Sequence, residues 1–265
     1  MESAEGLVKI MPLHRRLAKG LRRAGHMLLD QFYPPVCLGC DAPTGAADTL
    51  CPKCFAALRP ITAPLCPVLG LPFEIAFGAD ALSAEAIADP PPFERARAAV
   101  VYNDLAGGLV SRLKYGDRPE LARFCARLMA GAGHELWADR PVLVPVPLHP
   151  ARLRMRRYNQ SGELARELAK LTGLDCEMGL VRRIRKTKQQ VGLSGDGRAR
   201  NVAGAFAVDV ERLALQAGRR IVLIDDVYTT GATCKAVTRA LKKNGAQYVD
   251  VMSFARVVIS AEMPI

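Results

Sequence analysis

Aromatic side chains are scarce: one tryptophan, and 6% Phe, Trp and Tyr together. That argues against a surface whose main work is stacking a run of bases, because such platforms present successive aromatic faces. No apolar run approaches the roughly 20 residues that cross a bilayer, so a membrane-spanning chain is not expected. Acidic residues are in the minority, with 26 Asp and Glu against 37 Lys and Arg, a net charge of +11 and a pI near 9.5. This balance favours polyanionic or phosphorylated partners without naming one. A secretory signal is not expected either, since Lys9, Arg15, Arg16, Lys19, Arg22 and Arg23 interrupt the apolar positions near the N-terminus. Eight cysteines without such a signal point to a reducing cytoplasm, where Cys-x-x-Cys pairs hold metal more often than they form disulfides.

What the sequence does contain is concentrated in one stretch, Ile221 to Thr233, reading IVLIDDVYTTGAT. Ile221, Val222, Leu223 and Ile224 form an unbroken, β-branched-rich run that suits a central strand buried on both faces of a parallel sheet. Asp225 and Asp226 follow at its C-terminal end. The small-residue turn Thr229, Thr230, Gly231, Ala232 and Thr233 then opens a helix over 235–243. Backbone N–H groups at a helix N-terminus, with hydroxyls beside them, cradle a phosphate. The paired carboxylates suit a vicinal diol, or a hydrated Mg²⁺ nearby. A ribose 5-phosphate fits both halves.

The cysteines give a second signal. Cys37 and Cys40 form one Cys-x-x-Cys pair, and Cys51 and Cys54 another. Two such knuckles close a tetrahedral Zn²⁺ site, and so small a segment has little apolar core to fold around otherwise. A further knuckle begins at Cys66, but Leu69 stands where its second thiol would be, so a second zinc site is not expected there. Cys125, Cys176 and Cys234 are isolated and read as core residues.

Two basic segments complete the inventory. Arg152, Arg154, Arg156 and Arg157 follow the strand-like stretch 142–146, and bidentate guanidinium groups there could clamp pyrophosphate. A solvated basic turn is the alternative. Lys186 and Lys188 belong to a second basic run that leads into the glycine-rich stretch 192–198, which reads as a lid.

Taken along the chain, residues 1–33 read as a basic amphipathic helix, packing on its own protein or lying on a membrane surface. Residues 34–71 read as a zinc ribbon and 72–92, rich in Ala, Pro and acids, as a linker. Residues 93–258 read as the α/β domain. Within it, strands are expected over 98–102, 142–146, 202–208, 221–224 and 249–254, and helices over 105–114, 119–132 and 162–171.

LIDDVYTTGAT resembles the phosphoribosyl-pyrophosphate (PRPP) motif of type I phosphoribosyltransferases. The CLGC and CPKC pairs, VPVPLHPARLRMRRYNQS, the KTKQQ and RARNVAGAF segments and VLIDDVYTTGAT, in that order, resemble the ComF (competence protein F) family. Leu69 departs from the pattern, since many members carry cysteine there. The resemblance implies an α/β fold: a type I phosphoribosyltransferase-like parallel sheet flanked by helices, with a small N-terminal zinc ribbon. It implies structural Zn²⁺ on Cys37, Cys40, Cys51 and Cys54, and Mg²⁺ accompanying PRPP. The PRPP-binding residues would be Asp225, Asp226, Thr229, Thr230, Gly231, Ala232 and Thr233, with Arg152, Arg156, Arg157, Lys186 and Lys188 on pyrophosphate. The function implied is a cytoplasmic, PRPP-binding competence protein that aids single-stranded DNA handling in natural transformation, with the competence machinery as partner. The alternative is an active phosphoribosyltransferase using an unidentified acceptor.

Overall fold

The computed structural model describes residues 34–75, 78, 80–115, 118–149, 153, 158–185 and 204–258. The expected N-terminal helix, the arginines at 152, 154, 156 and 157, the lysines at 186 and 188, the lid over 192–198 and the start of the strand expected at 202 lie outside these residues. The chain divides into two compact units, Met1–Cys51 and Pro52–Ile265. In the first, Val36 and Pro43 form an antiparallel bridge across the Cys37 turn.

The second unit opens with two short helices, α1 (Pro52–Ala57) and α2 (Ala84–Ala88). Helix α2 falls in the stretch read as a linker. Ser83 caps it, its side-chain oxygen accepting from the Ala86 amide, and the helix stops at Ala88, just ahead of Asp89-Pro90-Pro91-Pro92. Prolines lack the donor a continuing helix needs. The remaining elements are β1 (Ala96–Val101), α3 (Asp104–Tyr115), α4 (Pro119–Ala132), β2 (Val142–Pro145), α5 (Gln160–Thr172), β3 (Val181–Arg183), β4 (Phe206–Val208), α6 (Val210–Ala214), β5 (Ile221–Tyr228), α7 (Ala232–Lys243) and β6 (Val249–Arg256).

Four strands form a parallel sheet in the order β1-β6-β5-β2, and β3 pairs with β4 as an antiparallel ribbon. β5 is internal to the sheet, as its unbroken apolar run requires. Its alternate side chains go to opposite faces. Ile221 and Leu223 join Val142, Val144, Val249 and Val251 in one cluster with Val237 and Leu241 of α7. Val222 and Ile224, also buried, face the other side, where α4 lies against β1 and β6, and α5 lies against β2 and β5. Helices thus cover both faces, which is what a parallel sheet needs.

β5 runs four residues past its apolar stretch. The run Ile221–Ile224 predicts only the part buried from both sides, but the ladder to β6 continues, with Asp225 opposite Ser253 and Tyr228 opposite Arg256. β2 stops opposite Ile224. No helix among the described residues is long and apolar enough to cross a membrane.

Leu223 is fully buried in this sheet. Leu223→Ala is expected to cost about 2–5 kcal/mol, read as a lower urea midpoint with an unchanged m-value.

Candidate functional site

The site is built where β5 outlasts β2. Beyond Pro145 the neighbouring strand leaves, its last tie being the Val146 amide donating to the Ile224 carbonyl at 2.9 Å. Asp225 and Asp226 are therefore held by β6 on one side only. The chain then turns through Thr229 and Thr230 into α7, whose N-cap is Gly231 at φ 69° and ψ 4°. Glycine is required there twice over: the conformation is left-handed, and a Cβ would run into the Tyr228 hydroxyl. No side chain caps this end of α7 and its first turn holds no acid. Thr230 Oγ1 is buried with no hydrogen-bond partner. A helix N-terminus of this kind favours negative charge.

The two carboxylates differ in their surroundings. Asp225 Oδ1 accepts from Ser161 Oγ at 3.0 Å and from the Asp226 amide at 2.9 Å, while the Cys234 thiol lies 3.8 Å from Oδ2. Burial, and then the charge of Asp226, push the Asp225 carboxyl up to about 7 against the help of those hydrogen bonds and of Lys114. Asp226 is paired with Lys114, Nζ to Oδ2 at 2.9 Å. The Cys234 thiol is buried and raised well above its ordinary value, first by burial and then by Asp225; it is not a reactive thiolate.

These groups line one cavity of about 450 Å³. Asp225, Asp226, Thr229, Gly231, Ala232 and Thr233 all border it, and Thr230 stands in the same turn. The structure thus brings together every expected residue of the β5–α7 segment. Arg152, Arg156, Arg157, Lys186 and Lys188 lie outside the described residues. Sequence reasoning missed Lys114 and Ser161. Lys114 ends an amphipathic helix and reads as one more surface lysine, so no local signal marks it. Ser161 belongs to the YNQS run, whose members prove to be ties: Asn159 donates to the Val146 carbonyl, Gln160 to the Lys114 carbonyl and Tyr158 to the Leu113 carbonyl. Of the aromatics near the site, Tyr102 and Tyr115 are exposed and both border the cavity.

The cysteines form the second centre. The sulfurs of Cys37, Cys40, Cys51 and Cys54 all lie within 4.8 Å of one another. Burial raises the Cys37 thiol, but amides of Cys51, Gly39 and Cys40 aimed at it outweigh this and bring it down to about 6. Four thiols so placed, one already poised to ionise, fit tetrahedral zinc.

Residues 28–87 match the family model of the double zinc ribbon domain, and residues 112–264 that of the phosphoribosyl transferase domain. The DNA utilization protein YhgH of Salmonella typhimurium is 33% identical over 232 residues, 84% of this chain and 97% of that protein. Competence protein F of Haemophilus influenzae is 32% identical over 154 residues, 56% of this chain and 66% of that one. The chain belongs to the ComF family. Competence protein ComFC of Bacillus subtilis is similar at 28% over 201 residues, 75% of this chain and 80% of ComFC. A solved purine phosphoribosyltransferase from Pyrococcus horikoshii aligns at 16% identity with a TM-score of 0.30, over 53% of this chain and 91% of that one. In this ComF-family chain the matched ribbon and the four-cysteine cluster together support a structural zinc.

The raised Asp225 carboxyl has a consequence for stability. The folded chain keeps the Asp225 proton up to about pH 7, whereas an unfolded chain releases it near 3.8. Stability from this group is therefore greatest below the unfolded value and is lost as pH rises towards about 7. Asp225→Asn, which keeps an oxygen for Ser161, is expected to raise Tm at pH 8 and to lose that advantage near pH 4, as a pair of thermal scans would check.

Proposed function

We propose that the β5–α7 segment binds PRPP and that the protein uses this phosphoribosyltransferase-like domain in handling single-stranded DNA during natural transformation. One observation carries the reading: two adjacent carboxylates and the N-terminus of α7 border the same cavity, and the turn between them holds the buried, partnerless Thr230 hydroxyl. Asp225 and Asp226 take the ribose 2′- and 3′-hydroxyls, and Thr229 to Thr233 take the 5-phosphate. Lys114, now on Asp226, is displaced by the diol and meets the diphosphate instead. Mg²⁺ enters with PRPP and neutralises that group's charge, and Arg152, Arg156, Arg157, Lys186 and Lys188 supply further cations by charge and position in the sequence.

The DNA half rests on the net charge of +11 and on the printed names of the relatives, DNA utilization protein and competence proteins. A cationic surface of this kind meets the phosphate backbone, with affinity that falls as salt rises. Cytoplasmic single-stranded DNA and the competence machinery are the partners this reading implies. A second reading, turnover as a phosphoribosyltransferase, draws on the exposed Tyr115, which borders the same cavity as the acid pair and could face an acceptor. In that reaction an acceptor attacks ribose C1 and pyrophosphate leaves, its charge met by the cations above.

Calorimetric titration of the zinc-loaded chain with PRPP and Mg²⁺ is expected to show saturable binding that Asp225→Ala/Asp226→Ala abolishes. Equal affinity in the variant, or no binding by the unaltered protein, would sink the PRPP assignment. Fluorescence anisotropy with labelled single-stranded DNA is expected to show binding at physiological salt, weakening with salt by a slope of roughly −0.7 per phosphate neutralised. Absence of binding at physiological salt would remove the DNA half.

A further inference from the structure

The double zinc ribbon description that matches residues 28–87 implies two metal sites, while the described residues hold a ligand cluster for one. The place of the other can be found from the backbone. Residues 64–73 repeat the hydrogen bonding of residues 35–44. Val36 bridges Pro43, and Leu65 bridges Pro72. The Cys37 amide donates to the Ala42 carbonyl and the Cys66 amide to the Leu71 carbonyl, both at 2.8 Å. Thr44 donates to Pro35, and Phe73 to Pro64, again at 2.8 Å. Asp41 and Gly70, each closing its knuckle, share left-handed φ values of 61° and 63°. Each knuckle is followed by a short helix, α1 starting just after Cys51 and α2 just after Ser83.

On this repeat the positions of Cys37, Cys40, Cys51 and Cys54 are taken by Cys66, Leu69, Ser83 and Ala86. We propose that residues 64–75 and 80–88 form a second ribbon that folds without metal, its ion replaced by an apolar plug and a hydrogen bond. Leu69 and Ala86 are buried and belong, with Cys66, to the cluster that packs under β5 and α7. Cys66 Sγ accepts at 3.4 Å from the Leu69 amide, the Ser83 amide and the Ser83 hydroxyl, and Ser83 Oγ in turn accepts from Ala86. One sulfur, one engaged hydroxyl and two hydrocarbon side chains cannot complete a tetrahedral zinc shell.

The cross-link that an ion would supply comes from the domain instead. Arg256 Nη1 donates to the Leu69 carbonyl at 2.7 Å and its Nη2 pairs with Glu85 at 3.2 Å. Arg97 donates to the Pro67 carbonyl, and Lys235 of α7 pairs with Asp89 at the end of α2. A ribbon clamped in this way has its core already and does not need the metal that small isolated ribbons require.

Elemental analysis of the purified full chain is expected to give one zinc per chain, unchanged in Cys66→Ala. Two zincs in the unaltered chain, or loss of zinc in Cys66→Ala, would overturn the proposal. The triple variant Leu69→Cys/Ser83→Cys/Ala86→Cys, grown with zinc, is expected to hold two. A folded triple variant that still holds one would show that these are not the ligand positions of a ribbon, and would equally overturn it. Should the triple variant not fold, the unaltered and Cys66→Ala stoichiometries still decide.

Discussion

The pairing of β5 with β6 beyond the end of β2 is the constraint on which the candidate site depends. In the first half of β5 the ladder is two-sided and the side chains are apolar. In the second half it is one-sided, and this part of the strand carries Asp225 and Asp226 into the cavity lining. A parallel sheet places its ligand crevice outside the carboxyl ends of its strands. Here that crevice is formed by one strand stopping four residues before its neighbour.

Two acids on adjacent strands show how burial is used differently at the two ends of the sheet. Asp250, near the start of β6, has no exposure and is met by Arg95 at 2.7 Å and Arg220 at 3.3 Å, with Arg220 also stacked over Tyr248. Its charge is matched by two guanidinium groups, which is how a buried carboxylate is kept without large cost. Asp225 has a hydroxyl, an amide and another acid for neighbours. Its poor solvation keeps the carboxyl high and leaves it something to gain from a ligand.

The turn from Thr229 to Thr233 is supported from below in the same physical terms. Tyr228 closes β5, with Arg256 of β6 4.4 Å over its ring and Phe93 edge-on to it. Its hydroxyl leaves no space for a Cβ at Gly231. Arg256 is held in turn by Leu69 and Glu85, so the metal-free ribbon forms part of the floor beneath the loop.

The sequence by itself determined those features whose signal is local. The apolar run Ile221–Ile224 specified an internal parallel strand, the small-residue turn after Tyr228 specified the start of α7, and the two Cys-x-x-Cys pairs specified a four-thiol cluster. Each depends on residues close together in the chain, where strand burial, helix entry and knuckle geometry are decided. Tertiary structure alone decided the partners: Lys114 on Asp226, Ser161 on Asp225, and Arg256 beneath Tyr228. These contacts join residues far apart in sequence, and nothing local distinguishes a lysine or serine that will meet an acid from one that will meet water. The extent of β5 and the helix within residues 72–92 were decided in the same way, because the ladder to β6 and the burial of Ala86 come from elements elsewhere in the chain.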